Sequence, residues 1–215
     1  MTFTSFLQAR LTSRLPGTDA HREFVPAMPD AESRLKGAPQ GARQSAVLVP
    51  LIEMPDSELP HVLLQVRSEV MRHHRGQISF PGGRIEEGED AVSAALREMH
   101  EEMGIRSESI VVLGHLTPLY IPPSNSAVTP IVAHVSSLDD LRLASAEVQE
   151  MFTLPLANIV SPVHIQRTAW ELYGQTIDVP HWSVHERIPL WGATAMILNE
   201  LVWLIREYLY VPEAS

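Results

Sequence analysis

The stretch Gly83–Ile105, GRIEEGEDAVSAALREMHEEMGI, constrains this 215-residue chain more than any other. It opens on glycines and acids and then takes up a helical period. Val92, Ala95, Leu96, Met99 and Met103 recur at i, i+3, i+4, i+7 and i+11, one apolar stripe that predicts an amphipathic helix. Asp90 suits its N-cap and Gly104 its left-handed end. At about 100° per residue, Glu98, Glu101 and Glu102 share an arc of about 100° away from that stripe. Arg97 points elsewhere, toward a loop carboxylate such as Glu89.

Acids on one helical face also suit a solvated surface, because like charges at this spacing cost only about 0.2–0.5 kcal/mol each when exposed. The loop argues for more. Glu86, Glu87, Glu89 and Asp90 crowd further negative charge in front of the helix, beside glycines that let backbone approach closely. A hard cation with oxygen ligands relieves such crowding, and Mg²⁺ fits because it also binds phosphate.

The spacing G-x5-E-x7-R-E-U-x-E-E-x-G-U, with U apolar, resembles the box of the Nudix hydrolases and is met at every defined position. The resemblance implies an α/β (α+β) fold: an α/β/α sandwich with a mixed β-sheet and the box helix, plus N- and C-terminal extensions. It implies an enzyme that uses Mg²⁺ or Mn²⁺ to hydrolyse a diphosphate joining a nucleoside to another group. Glu98 and Glu102 are then expected to hold the metal, with Glu101 a ligand or a neighbour of the bound water. The Gly83 carbonyl is a further expected ligand. Arg97 is expected to orient the acids, Glu89 among them. Glu101 is the expected base, with Glu147 and Glu150 as alternatives.

The residues just upstream, from Leu63 to Gly83, resemble the signature L-L-T-x-R-S/A-x3-R-x3-G-x3-F-P-G-G of coenzyme A pyrophosphatases. Gln65 stands where that family has Thr, and every other position agrees. Trp191–Ala195, WGATA, is similar to the same family. This likeness implies cleavage of coenzyme A or an acyl-CoA to 3′,5′-ADP and 4′-phosphopantetheine or its acyl form. It carries Arg67, Ser68, Arg72, Arg75, Gly76, Phe80 and Gly82 as expected substrate-binding residues. The arginines have a physical reason to be there, since coenzyme A bears a 3′-phosphate that forked donors bind well. They also have a competing one, pairing with Glu69 and the box acids to hold the loop. His73 and His74 lack a third ligand at matching spacing, which argues against zinc. Two rival readings are a Nudix hydrolase of ADP-ribose, a dinucleoside polyphosphate or an oxidised nucleotide, and a non-catalytic nucleotide-sensing module. The second commonly lacks box carboxylates, and none is missing here.

The net charge of −10 argues against a general nucleic-acid surface, which needs a basic footprint. It also repels anionic phosphates at long range, so metal and a local basic patch must reverse the sign at the site. No apolar run reaches the length of a membrane span. Cysteine is absent, which excludes disulfides and thiolate metal sites and fits a cytoplasmic location. The expected partner is therefore a small molecule, with neither nucleic acid nor membrane.

Residues 1–44 read as an N-terminal extension and 45–215 as the Nudix domain. Phe6, Leu7, Arg10, Leu11 and Arg14 suit a short surface helix, and the early arginines also suit a transit peptide. Residues 15–44, rich in Pro and Gly, read as a connection wrapped on the surface. Strands are expected at Ser45–Ile52, His61–Arg67, Ile110–Leu116 and Val128–Val135. Ser68–Ser79 and Pro118–Ser126 read as loops, and Glu147–Leu156 as a turn ending in extended chain. A hairpin across Gly174 is expected from His164–Tyr173 and Trp182–Ile188. Gly192–Tyr210 predicts a helix whose stripe is Ala195, Leu198, Val202, Ile205 and Leu209, with Asn199, Glu200, Arg206 and Glu207 at polar positions. Met196 and Trp203 read as core.

Overall fold

A computed structural model describes residues 2–28, 31–69, 75–143, 145–172 and 174–210. Arg72, His73, His74 and Tyr173 lie outside the described residues. In chain order the elements are α1 (Phe3–Arg10), α2 (Thr18–Arg22), α3 (Ala31–Arg34), β1 (Arg43–Ile52), β2 (His61–Arg67), β3 (Ile78–Ser79), β4 (Gly82–Arg84) and α4 (Ala91–Met103). There follow β5 (Ile110–His115), β6 (Leu119–Ile121), β7 (Ser126–Val135), β8 (Val148–Pro155), β9 (Gln166–Leu172), β10 (Gln175–Trp182), β11 (Leu190–Trp191) and α5 (Gly192–Tyr210).

The apolar run in β1 is explained by burial on both faces. Ala46 and Leu48 lie under α4 with Leu63, Ala95, Met99 and Met103. Val49 and Leu51 face the other way, into a larger core with Val62, Leu64, Leu198 and Leu201. The main sheet runs β3-β2-β1-β7-β5, with β4 also on β1, β6 on β7 and β8 on β2. The β1–β7 pairing is parallel and the others antiparallel, so the sheet is mixed. Helices cover both faces, which makes an α/β/α sandwich. A second sheet runs β11-β10-β9. Among the described residues no helix is long and apolar enough to cross a membrane.

The box helix ends where its local signals place it. Asp90 Oδ1 accepts from the Ser93 N–H at 2.7 Å, and Gly104 takes φ 77° while its N–H donates to the His100 carbonyl at 2.9 Å. The last helix also spans its expected residues, but two of its polar positions are buried. Asn199 and Glu200 are fully inside, while Leu209, expected on the apolar stripe, is exposed. The segment expected to wrap the surface supplies their partners. Residues 36–41 are exposed, but Ala20, His21, Phe24 and Val25 are buried, and Phe24 packs on Trp182 with ring centroids 4.1 Å apart. Glu200 accepts from the Gly17 N–H (2.9 Å), the Thr117 N–H (3.0 Å) and the Thr117 hydroxyl (2.6 Å), and faces His21 Nε2 at 3.1 Å.

Three other expectations are corrected. Glu147–Leu156 holds a full strand, β8, which pairs along β2 from His61 to Arg67. The hairpin does turn at Gly174, but its second arm is Gln175–Trp182 and not Trp182–Ile188. Ser68–Ser79 and Pro118–Ser126 are not loops throughout, since they contain β3 and β6.

Candidate active site

The acids of α4 meet three other pieces of chain. The first is the loop before the helix. Arg97 grips Glu89 with two parallel bonds, Nε to Oε1 at 3.0 Å and an Nη to Oε2 at 3.1 Å. Its other donors reach Glu98 Oε1 at 2.9 Å, Glu101 Oε2 at 3.3 Å and the Arg84 carbonyl at 3.0 Å. One guanidinium thus holds three carboxylates and the end of β4. The Arg97 contact holds Glu89 below the ordinary carboxylate range, and Glu89 in turn raises Arg97.

The second piece is β4. A Cβ on Gly83 would collide with the Glu98 carboxylate, so only glycine lets that acid lie against the strand. The Gly82 N–H donates to Glu102 Oε2 at 2.9 Å. A Cβ on Gly82 would meet the backbone of Ala46 and Val47 on β1. The third piece is the end of β2. Gln65 Nε2 donates to the same Glu102 oxygen at 3.0 Å, and Arg67 lies 3.9 Å from Glu102 Oε1 and 3.6 Å from Glu147 Oε2.

Burial sets the electrostatics. Glu102, 4% exposed, is pushed up to about 7 by desolvation, with the Gly82 and Gln65 hydrogen bonds and Arg67 opposing the shift. Desolvation also raises Glu98, against the pull of Arg97, with Glu101 and Glu147 adding to the rise. Two desolvated carboxylates one helical turn apart, each resisting ionisation, form an oxygen donor set that a hard divalent cation satisfies. Among the described residues no three acids or histidines converge as a ready metal cage.

The expected site residues fall into groups. Glu89, Arg97, Glu98, Glu101, Glu102, Gly82, Gly83 and Arg67 come together. Ser68 and Gly76 shape the neighbouring loop: the Ser68 N–H donates to the Glu147 carbonyl at 2.7 Å and the Gly76 N–H to the Arg67 carbonyl at 3.0 Å. Gly76 adopts φ 60° with the Glu69 carboxylate where a Cβ would sit. Arg75 lies beside this turn in sequence and is engaged in interactions of its own. Phe80 differs from expectation, because its ring is core and 3% exposed. Of the named bases, Glu101 and Glu147 stay on the α4 side. Glu150 pairs with Val66 across the sheet and faces the α5 side, held by His185 Nε2 at 3.2 Å and by Arg187 at 3.4 Å. The sequence reading missed Gln65 as a site residue. Its signal was a lone amide in the apolar run of β2.

The NUDIX domain family model matches residues 42–172. The chain belongs to the Nudix hydrolase family. This Nudix hydrolase is 30% identical over 216 residues to "Nudix hydrolase 3" of Caenorhabditis elegans, covering 92% of this chain and 89% of the relative. It is 35% identical to human "Mitochondrial coenzyme A diphosphatase NUDT8", covering 86% of this chain and 78% of that one. It is also 35% identical to "Uncharacterized Nudix hydrolase NudL" of Escherichia coli, covering 74% and 81%. A solved MutT/nudix family protein from Enterococcus faecalis shares the fold, with a TM-score of 0.51 at 17% identity over 77% of this chain and 62% of that chain. Nudix membership makes the chain a diphosphate hydrolase, and the family typically employs divalent metal ions.

Proposed function

We propose that this Nudix hydrolase cleaves the diphosphate of coenzyme A or its thioesters, releasing 3′,5′-ADP and 4′-phosphopantetheine or its acyl form. One observation carries the reading. The two stretches that resemble coenzyme A pyrophosphatases meet each other and the box: the Thr194 hydroxyl donates to the Ile78 carbonyl at 3.1 Å, and the Gly82 N–H donates to Glu102 at 2.9 Å. This arrangement supports a substrate signature that borders the proposed hydrolytic centre. The human relative's name supports the same substrate.

In this reading Glu98 and Glu102 hold the cation, with Glu101 and the Gly83 carbonyl beside them. A divalent cation held there would supply Lewis acidity to the diphosphate and lower the pKa of water. Arg97 keeps Glu89, Glu98 and Glu101 in place and stays clear of substrate. Water attacks one phosphorus, the bridging P–O bond breaks, and Glu101 takes the water proton. Glu147 is the second candidate for that proton, being 53% exposed and, among the described residues, ion-paired with Arg67. Arg67 and Arg75 counter the negative field of the chain and receive phosphate oxygens.

A substrate panel tests this. Coenzyme A, acetyl-CoA, dephospho-coenzyme A, ADP-ribose and diadenosine polyphosphates are compared with Mg²⁺ and with Mn²⁺. The highest kcat/KM is expected for coenzyme A or its thioester. Turnover of ADP-ribose or of a dinucleoside polyphosphate with coenzyme A untouched replaces the substrate and keeps the chemistry. Absence of metal-dependent turnover on the whole panel makes the protein a sensor.

A further inference from the structure

Gln65 sits between Leu64 and Val66 on β2 and is fully buried. Burying an amide costs free energy unless its polar atoms find partners. Here the partners are unequal. Nε2 donates to Glu102 Oε2 at 3.0 Å and lies 3.5 Å from the Phe80 carbonyl. Oε1 has no partner among the described residues. Ser79, directly opposite on β3, also leaves its buried hydroxyl without one. An unpaired buried acceptor carries a desolvation cost, which a residue retained for packing alone would avoid. The amide is placed for what its NH₂ group holds.

That group and the Gly82 N–H, 2.9 Å away, converge on one oxygen of one carboxylate. A glutamate on an open helical face samples several rotamers. Two donors fixed on Oε2, one from β2 and one from β4, remove that freedom and leave Oε1 as the oxygen free to serve a cation. Strand pairing holds both donors, since β2 and β4 each pair with β1 along the edge opposite β7. Threonine, the residue of the resembling family, is too short to span the same gap.

We infer that Gln65 is a positioning residue of the metal centre, fixing Glu102 so that it meets the cation already oriented. The inference rests on the metal-binding reading of Glu98 and Glu102. Outer partners of metal ligands commonly govern about ten- to a hundredfold in metal affinity.

The test is Mn²⁺ binding by electron paramagnetic resonance on the full chain, for wild type, Gln65→Met and Gln65→Thr, with folding checked by circular dichroism and thermal melts. Methionine keeps the length and removes the donor. Both variants are expected to raise the Mn²⁺ Kd about ten- to a hundredfold. KM for substrate at saturating metal should change little. A role in packing alone moves the melting temperature and leaves the Kd where it was. A folded Gln65→Met with a Kd within about twofold of wild type overturns the inference. Wild type that fails to bind Mn²⁺ at all overturns the metal reading instead. Should neither variant fold, the wild-type side-chain amide decides by NMR. Its Nε2 protons must shift during Mg²⁺ titration, and signals unmoved at saturation overturn the inference.

Discussion

Glu102 on α4 and Glu200 on α5 are both buried carboxylates, yet the first is pushed up to about 7 and the second is held below its ordinary value. Burial raises both. At Glu200 the hydrogen bonds from His21, Thr117 and Gly17 outweigh burial. At Glu102 two donors share one oxygen and the nearest guanidinium stands 3.9 Å off, so burial wins. The difference separates two uses of one residue type. A carboxylate whose needs are met inside the protein fastens elements together, and one left short is ready for a ligand from outside.

The largest expected effect breaks the fastened side. Glu200→Ala removes the partner of His21 and the acceptor for Gly17 and Thr117, and should cost about 3–5 kcal/mol in urea unfolding. Activity per folded molecule should stay near wild type. A loss under about 1 kcal/mol would show that the network is incidental.

The mirror experiment follows. Glu98→Gln and Glu102→Gln should each lower metal-dependent kcat at least about a hundredfold with the fold intact. Near-normal rates at saturating Mg²⁺ in both would remove these residues from the centre.

Next come the arginines. Arg67→Ala or Arg75→Ala should cut kcat/KM for coenzyme A roughly ten- to a hundredfold more than for dephospho-coenzyme A, the worth of a charge-assisted contact to the 3′-phosphate. Lysine should rescue only partly, because it lacks the planar fork. An unchanged ratio of the two substrates in both variants would leave Arg67 as a brace between Glu102 and Glu147.

The smallest effect is a matter of pH and sharpens the contrast. Below about 4.5 Glu102 is protonated folded or unfolded and costs nothing. As pH rises toward about 7 the unfolded chain ionises first, so metal-free protein loses stability across that window. Glu102→Gln should therefore stabilise the metal-free protein above pH 7 while lowering turnover. Glu200 runs the other way. Its contribution is complete above the unfolded pKa and fades as pH falls through its lowered folded value. Thermal melts with chelator from pH 4 to 8 test both signs.

These two glutamates also mark what could be read without the structure. The α4 acids were legible because their meaning is local: Asp90, Gly104 and the stripe between them announce the helix, and Arg97 finds Glu89 eight residues away. Strand β2 was legible for the same reason, an apolar run bounded by turns. Glu200 was not, because its partners at Gly17 and His21 lie 183 and 179 residues away, and no periodicity within α5 separates a buried acid from a solvated one. Strand β8 was obscured by Gln149, Glu150 and Met151, good helix formers that are extended only because β2 supplies their ladder. The burial of Phe80 was not legible, because nothing local in its Phe-Pro-Gly-Gly run says that its ring packs into the core.

The clasp between His21 and Glu200 has a consequence for biosynthesis. Ribosomes add about 5–20 residues per second, so His21 waits on the order of 10–40 s before its partner 179 residues later is made. Through that interval Phe24 and Val25 have no α5 to bury against. Substitutions at Gly17 or His21 should then lower how much of the enzyme survives translation, beyond what they take from the stability of the purified protein. Pulse-chase yield in cells, read beside a melting curve, shows that added cost.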